Sequence, residues 1–264
     1  MSTDRWGDLR QRILSALVLA AVGLTAVILG GLPFAVFVAL LTGVMVWELV
    51  RLSNGNAVLS LALAAISAFL LFFEPGGGLV SSVLLLVAVP LAIAGMSSDH
   101  KVRVGLFAVM VTASGLVMEI LRFDLGLTWV LWLVLVVVAT DIAGYFAGRI
   151  IGGPKFWPTV SPKKTWAGII AGWIAAGVVG AAFDVVYFGP LVALSMLVSL
   201  ASQLGDIAES SVKRRFGVKD SSNLIPGHGG FLDRFDAMIA ATLVLGVLGL
   251  LLPDGLHFFE MGYR

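Results

Sequence analysis

Nine separate stretches of this chain are apolar enough to cross a lipid bilayer as helices. A spanning helix needs about 20 mainly apolar residues. The hydrophobic fraction is 59% and only 12% of the residues are charged, against about 25% in soluble domains. We therefore predict an all-α polytopic integral membrane protein. The stretches lie at about residues 12–31, 33–50, 57–73, 79–96, 104–121, 127–148, 166–187, 189–209 and 236–252.

The basic residues predict the orientation of these spans, because cytoplasmic loops are enriched in Lys and Arg. With a cytoplasmic N-terminus, all 17 basic residues except Arg122 and Arg264 fall on the cytoplasmic side. The first apolar run is long for a signal peptide and a second follows almost at once, so we expect a retained span. We expect a multi-pass protein of the cell inner (plasma) membrane with an external C-terminus.

Composition excludes several kinds of chemistry. The chain has no cysteine, which excludes disulfides, thiolate nucleophiles and cysteine-ligated metal sites. The net charge is +1, so no basic field indicates nucleic acid as a partner. We expect no soluble domain beside the spans, so the chemistry is expected to reside in the loops and helix ends.

Two predicted cytoplasmic loops, 149–165 and 210–234, are much longer than the other connections. Loops of this length in compact bundles are often functional. We therefore divide the chain into an N-terminal region of about five spans, residues 1–125, and a C-terminal catalytic region, residues 126–264, which carries both loops.

Six carboxylates are predicted to lie at the cytoplasmic rim of the C-terminal region. A carboxylate in a membrane span costs a few kcal/mol and normally faces protein, water or an ion. Neighbouring carboxylates repel unless cations hold them together, and such oxygen ligands suit Mg²⁺. A solvated helix end is the alternative for each, and it is our interpretation of Glu48 and Glu119, which lie outside any motif. The six are Asp141, Asp206, Glu209, Asp220, Asp233 and Asp236.

The second loop also has a glycine-rich turn, Pro226 to Gly230, directly before Asp233. Glycines let backbone N–H groups turn towards an anion, and the following helix N-terminus favours phosphate. By itself such a turn is also typical of an ordinary loop. Beside the basic residues of both loops, it indicates metal-assisted phosphoryl or nucleotidyl transfer to a lipid at the cytoplasmic membrane surface.

The second loop with its flanking residues reads SSVKRRFGVKDSSNLIPGHGGFLDRFD over residues 210–236. This stretch closely resembles the signature of the phosphatidate cytidylyltransferases, or CDP-diacylglycerol synthases. Residues 141–145, 161–166 and 202–210 also look like family motifs, so the resemblance covers about residues 135–250. It implies the conversion of CTP and phosphatidate to CDP-diacylglycerol and diphosphate, with Mg²⁺, room for a second, monovalent cation, membrane lipids as partners and a homodimer.

The resemblance also implies roles for single residues. Asp206 and Asp233 are the expected metal ligands, and Asp220 and Asp236 are further ligands or orient basic partners. Lys213 and Arg214 complete the catalytic set. The expected substrate-binding residues are Asp141, Ser161, Lys163, Lys164, Thr165, Ser210, Lys219, His228, Gly229, Gly230 and Arg234.

Two other functions are weighed against this one. A CTP-dependent polyprenol or phytol kinase would transfer the γ-phosphoryl group to an alcohol, and the complete signature argues against it. An ion-coupled transporter would show broken helices and charges near the middle of the membrane, whereas the charges here are expected at the cytoplasmic rim.

Overall fold

The computed structural model describes residues 4–53, 55–73, 78–97, 99–158, 160–183 and 190–252. Within these ranges the chain forms nine helices, numbered α1 to α9, and two short strands. The helices are α1 Asp4–Leu29, α2 Gly31–Leu52, α3 Ala57–Phe73, α4 Leu79–Met96, α5 Lys101–Leu125, α6 Leu127–Ile150, α7 Trp166–Phe183, α8 Pro190–Arg215 and α9 Leu232–Leu251; the strands are β1 Lys155–Trp157 and β2 Ser161–Thr165.

Eight of the described helices are long and apolar enough to cross a membrane. The remaining one, α3, is apolar but has only 17 residues. The prediction of a polytopic α-helical membrane protein is confirmed at this level, while the ninth span and the orientation stay predictions. The end of the seventh predicted span and the start of the eighth fall on residues 184–189, outside the described residues.

The first long loop contains a β-hairpin that the all-α prediction did not include. Strand β1 pairs antiparallel with β2, with Lys155 opposite Thr165 and Trp157 opposite Ser161. The hairpin leads directly into α7, where the hydroxyl of Thr165 accepts a hydrogen bond from the Gly168 N–H (3.2 Å). Thr165 is therefore the N-cap of α7, satisfying one of the N–H groups that a helix start leaves unpaired.

Helix α4 contains a π-helical turn over Leu84–Ala88. Pro90 has no N–H to donate, and its ring collides with the carbonyl group four residues earlier in a regular helix. A widened turn relieves that conflict. Helix α5 ends in a second π-helical turn, Leu121–Leu125, which closes at Gly126 with φ 91°.

The chain divides into two compact units. One consists of residues 1–127 and 212–235, and the other of residues 128–211 and 236–264. Nearly all of the second long loop thus belongs to the same unit as α1 to α5, while the hairpin belongs to the unit of α6 and α7.

Arg122 joins two helix ends in the first unit. Its guanidinium Nε donates to the Val27 carbonyl (2.9 Å) in the last turn of α1. A cation at a helix C-terminus is favourable, because the carbonyl groups there are unpaired. Gly30, at φ 62°, leaves room for the guanidinium, which a Cβ atom would strike. This contact gives a structural role to a basic residue that the sequence assigns to the external side.

Small and hydroxyl-bearing residues line the helix contacts of the second unit. A Cβ atom on Gly168 of α7 would lie 2.6 Å from the Gly144 carbonyl oxygen of α6. Between α6 and α8, the Thr140 hydroxyl donates to the Ser199 hydroxyl at 2.9 Å. Close approach at small residues and interhelical hydrogen bonds are typical of membrane helix packing.

Candidate active site

Asp233 lies near the start of α9, in the first unit, and both of its carboxylate oxygens accept hydrogen bonds. Oδ1 accepts a hydrogen bond from the Lys213 ammonium group. Oδ2 accepts from the Gly230 N–H (2.7 Å), the Ser221 N–H (2.9 Å) and the Ser221 hydroxyl (2.9 Å). The side chain is 3% exposed. In this arrangement the carboxylate organises the second loop as well as carrying charge.

The glycines before Asp233 are required by close packing. Gly229 has φ +85°, and a Cβ atom there would lie 2.7 Å from Asp233 Oδ2. A Cβ atom on Gly230 would collide with the Ser221 hydroxyl and with the Glu48 carboxylate. The sequence predicted that this turn directs N–H groups at an anion, and within the described structure the Gly230 N–H points at Asp233.

Glu48, near the C-terminal end of α2, is the residue that sequence reasoning missed. Its carboxylate accepts hydrogen bonds from Ser222, Phe231, Leu232 and Ser221, and its residue is fully buried. The sequence pattern predicts a solvated helix end at Glu48 and at Glu119, and this is wrong for both, since both are fully buried. Glu48 contacts the second loop directly. The available signal was a carboxylate in an otherwise apolar span, which normally has a specific partner.

His228 is bound from the N-terminal helix. Its Nδ1 atom lies 2.8 Å from the Ser15 hydroxyl, which is also 3.2 Å from the Pro226 carbonyl oxygen. Arg234 donates from Nε to the His228 carbonyl (3.1 Å). Helix α1 and the start of α9 therefore both contact the glycine-rich turn.

The other predicted residues of the second loop lie at its surface. Lys219 and Asp220 are exposed. Arg214 is also exposed, and its guanidinium donates to the Val218 carbonyl (3.2 Å). Lys213, by contrast, is only 9% exposed. The exposed cations are accessible to a soluble polyanion, whereas Lys213 serves the buried carboxylate.

A second pair of opposite charges lies in the other unit. Lys164 Nζ, on β2, donates to Asp206 Oδ2 (2.6 Å) and to the Gln203 carbonyl (2.9 Å) on α8. The Lys164 side chain is 22% exposed and the Asp206 side chain is 28% exposed. Asp141 of α6 lies within electrostatic range of both. The structure thus brings together three predicted site residues from three different elements.

Gln203 fixes the part of α8 that carries Asp206. Its Oε1 accepts from the Trp173 indole N–H (3.1 Å), and its Nε2 donates to the Ile169 carbonyl (3.2 Å). Two residues further on, a Cβ atom on Gly205 would lie 2.5 Å from the Asp236 carbonyl oxygen. Close approach of α9 at this glycine brings Asp236 next to the turn that carries Asp206.

The remaining predicted residues of this unit differ in how exposed they are to solvent. Lys163 is exposed, and Ser161 and Ser210 are half-buried. Thr165 is 4% exposed and uses its hydroxyl oxygen to cap α7.

The surroundings of the two predicted ligands, Asp206 and Asp233, show whether each could bind a metal ion. Among the described residues, no group of three or more His, Asp or Glu side chains is arranged to hold one. Asp206 fits such an ion, because it is partly exposed and, of its two oxygens, Oδ2 alone accepts a hydrogen bond from a described residue. Asp233 fits only if the Lys213 ammonium leaves Oδ1, since its other oxygen is fully used.

The sequence matches the cytidylyltransferase family model over residues 10–252. The phosphatidate cytidylyltransferase of Brucella suis biovar 1 (strain 1330) is 36% identical over 259 residues, which covers 94% of this chain and 95% of that protein. The protein of the same name from Bacillus subtilis (strain 168) is 34% identical over 253 residues, covering 88% and 94%. The one from Staphylococcus haemolyticus (strain JCSC1435) is 30% identical over 258 residues, covering 91% and 98%.

Proposed function

This chain belongs to the cytidylyltransferase family, and from that premise we propose that it converts CTP and phosphatidate to CDP-diacylglycerol and diphosphate. The observation that carries the proposal is the similarity to phosphatidate cytidylyltransferases over nearly the whole of both chains. The chain is thus a nucleotidyltransferase of phospholipid biosynthesis with a polytopic helical fold.

The reaction is a displacement at phosphorus. An oxygen of the phosphatidate phosphate attacks the α-phosphorus of CTP in line with the bond to the leaving diphosphate. The new phosphoanhydride bond forms as the old one breaks, so no covalent enzyme intermediate is needed. Such chemistry depends mainly on positioning and on neutralising negative charge.

Basic side chains are proposed to neutralise that charge. Lys164 has three ammonium protons, of which two are donated to Asp206 and Gln203. No residue in the described part of the chain accepts the third proton, which is proposed to bind a phosphate oxygen. Lys163, Arg214, Lys219 and Arg234 are exposed and are proposed to attract the triphosphate and the lipid phosphate.

The carboxylates are proposed to bind the metal ion. Asp206 and Asp233 are the proposed Mg²⁺ ligands, with Asp220 and Asp236 as further ligands or orienting groups. When bound, Mg²⁺ supplies charge neutralisation at the phosphates. A second, monovalent cation is part of the same proposal.

We also propose nine spans with a cytoplasmic N-terminus, in the cell inner membrane, and a homodimer. Two residues near the predicted cytoplasmic ends of spans and one residue of a predicted cytoplasmic loop contact the second loop within the first unit. Ser15 contacts His228, Glu48 contacts Ser222, and the His100 ring lies 6.3 Å from that of Phe216. These contacts support a common side for the segments.

Nucleotide labelled at the α- or the γ-phosphorus separates the proposed function from its rival. The purified protein would be given Mg²⁺, CTP and either phosphatidate or a polyprenol. We expect α-label to enter the lipid fraction with phosphatidate and γ-label to leave as diphosphate. Transfer of γ-label to the polyprenol, with α-label left in CDP, would instead identify the kinase.

A further inference from the structure

Glu48 is a fully buried carboxylate in the apolar helix α2. Burying such a group is costly unless hydrogen bonds or opposite charges compensate. Its compensation comes from a part of the chain that lies more than 170 residues away in sequence.

Each oxygen of Glu48 accepts from one hydroxyl and one backbone N–H group. Oε1 accepts from the Ser222 hydroxyl (2.5 Å) and the Phe231 N–H (2.9 Å). Oε2 accepts from the Ser221 hydroxyl (3.2 Å) and the Leu232 N–H (2.7 Å). A carboxylate only accepts hydrogen bonds, so these groups match its chemistry. The Ser221 hydroxyl has one proton and shares it between Glu48 Oε2 (3.2 Å) and Asp233 Oδ2 (2.9 Å).

Two of those donors belong to the start of α9, which begins at Leu232. The first N–H groups of a helix have no partner within it, and a negative charge there is favoured by the helix dipole. Glu48 therefore acts as an N-terminal cap supplied from another helix. The same carboxylate binds both ends of the segment that contains the glycine-rich turn, at Ser221 and at Phe231.

Ser221 links Glu48 to the Asp233–Lys213 pair. Its hydroxyl lies 3.2 Å from Glu48 Oε2 and 2.9 Å from Asp233 Oδ2, and its N–H also donates to Asp233. A shift of Ser221 would therefore change the position of the Asp233 carboxylate, which in turn binds Lys213.

We propose that Glu48 is a positioning residue for the cytidylyl transfer, holding the turn between Ser221 and Leu232 so that Asp233 and Lys213 keep their orientation. The proposal rests on the proposed function for its effect on turnover. Glu48 is not proposed to contact substrate or metal. A residue of the N-terminal half of the chain thus has a role in the reaction.

Glu48→Gln is the informative substitution, because it preserves size but replaces one acceptor oxygen with an NH₂ donor. In either amide orientation, that NH₂ group faces a hydroxyl and a backbone N–H donor. We expect kcat to fall about 10- to 100-fold, the scale of a small misplacement of reacting groups, with a KM for CTP within about threefold of wild type.

Hydrogen exchange followed by mass spectrometry gives a readout that does not depend on activity. In the purified full-length protein, we expect Glu48→Gln to raise exchange in the 221–232 segment about tenfold or more, while α6 and α7 stay as protected as in wild type. Glu119→Gln, which changes another fully buried carboxylate, is the matched control and should leave the exchange of this segment and kcat near wild type.

Unchanged exchange in the segment, a kcat near wild type, or an equal loss in the control would overturn the role of Glu48. If Glu48→Gln does not accumulate as folded protein, Ser222→Ala removes the 2.5 Å contact and should have a smaller effect in the same direction. Wild-type exchange and kcat in that variant would overturn the role as well. A wild-type protein that forms no CDP-diacylglycerol would contradict the proposed function, while the exchange data would still decide whether Glu48 holds the turn.

Discussion

Asp206 and Asp233 carry the same charge but stand in different surroundings. Asp206 is 28% exposed and bound to Lys164, whereas the Asp233 side chain is 3% exposed and has four donors on its oxygens. Substitution of Asp206 should therefore remove mainly charge, while substitution of Asp233 should also disturb the loop.

Asp206→Asn should lower kcat roughly 100-fold or more, because charge at the reacting phosphates is no longer balanced. Its melting temperature in detergent should remain close to that of wild type, since the pair with Lys164 is partly exposed and such pairs contribute little to stability. Asp124→Asn, at an exposed position in α5, is the matched control and should retain full activity. Near-normal turnover of Asp206→Asn would remove Asp206 from the metal site.

Gly230→Ala should reduce activity by a large factor, because the added methyl group collides with Ser221 and Glu48. We expect a loss of roughly 10-fold or more in kcat, as for other small displacements of reacting groups. Gly95→Ala is the control, since a Cβ atom there meets no atom within 4 Å. Equal activities of the two variants would show that the turn tolerates displacement.

Single residues also show how far the sequence could be interpreted. The motif pattern singled out Lys164, Asp206, Lys213 and Asp233, and the structure pairs Lys164 with Asp206 and Lys213 with Asp233. The pattern could not identify which lysine binds which carboxylate, because that depends on helix packing. Glu48 was missed because its partners are distant in sequence and no local motif marks it.

The secondary structure, too, could be predicted from the sequence only in part. Apolar stretches identified the helical segments well, since hydropathy depends on local composition. The hairpin of β1 and β2 was missed, because its strands are only three and five residues long and lie in a polar loop. Pro90 was a visible signal for a distorted turn in α4, but a proline in a membrane helix is compatible with several local geometries.

Thr165 offers a test at the level of a helix end. Thr165→Ala removes the cap of α7 and should cost about 1 kcal/mol of stability, seen as a lower melting temperature in detergent. Thr165→Ser keeps the hydroxyl and should restore most of that loss. A raised KM for CTP in Thr165→Ala alone would support the additional phosphate contact predicted from the sequence. An unchanged melting temperature would contradict the cap.

At the scale of the whole molecule, the proposed nine-span topology requires α3 to cross the membrane. Because the natural chain has no cysteine, single cysteines can report sidedness through an impermeant thiol reagent. Nine spans place Lys101→Cys and Lys163→Cys in the cytoplasm and Gly78→Cys outside. Gly78 has φ −60° and ψ 145°, a conformation that cysteine adopts without strain.

We expect Gly78→Cys to be labelled in intact cells and the other two only after permeabilisation. If α3 does not span, with the N-terminus still cytoplasmic, all three results are inverted. That inversion would contradict both the ninth span and the cytoplasmic side assigned to the loops.

Labelling the oxygen atoms of phosphatidate tests the proposed reaction most directly. The purified protein would be given Mg²⁺, unlabelled CTP and phosphatidate whose non-bridging phosphate oxygens are ¹⁸O. The ¹⁸O content of both products would be measured by mass spectrometry. If the lipid phosphate attacks the α-phosphorus of CTP, CDP-diacylglycerol retains all of the ¹⁸O and diphosphate contains none. Asp206→Asn should form neither product at a comparable rate. Loss of ¹⁸O from the lipid product, or no CDP-diacylglycerol from the wild-type protein, would contradict the proposed reaction.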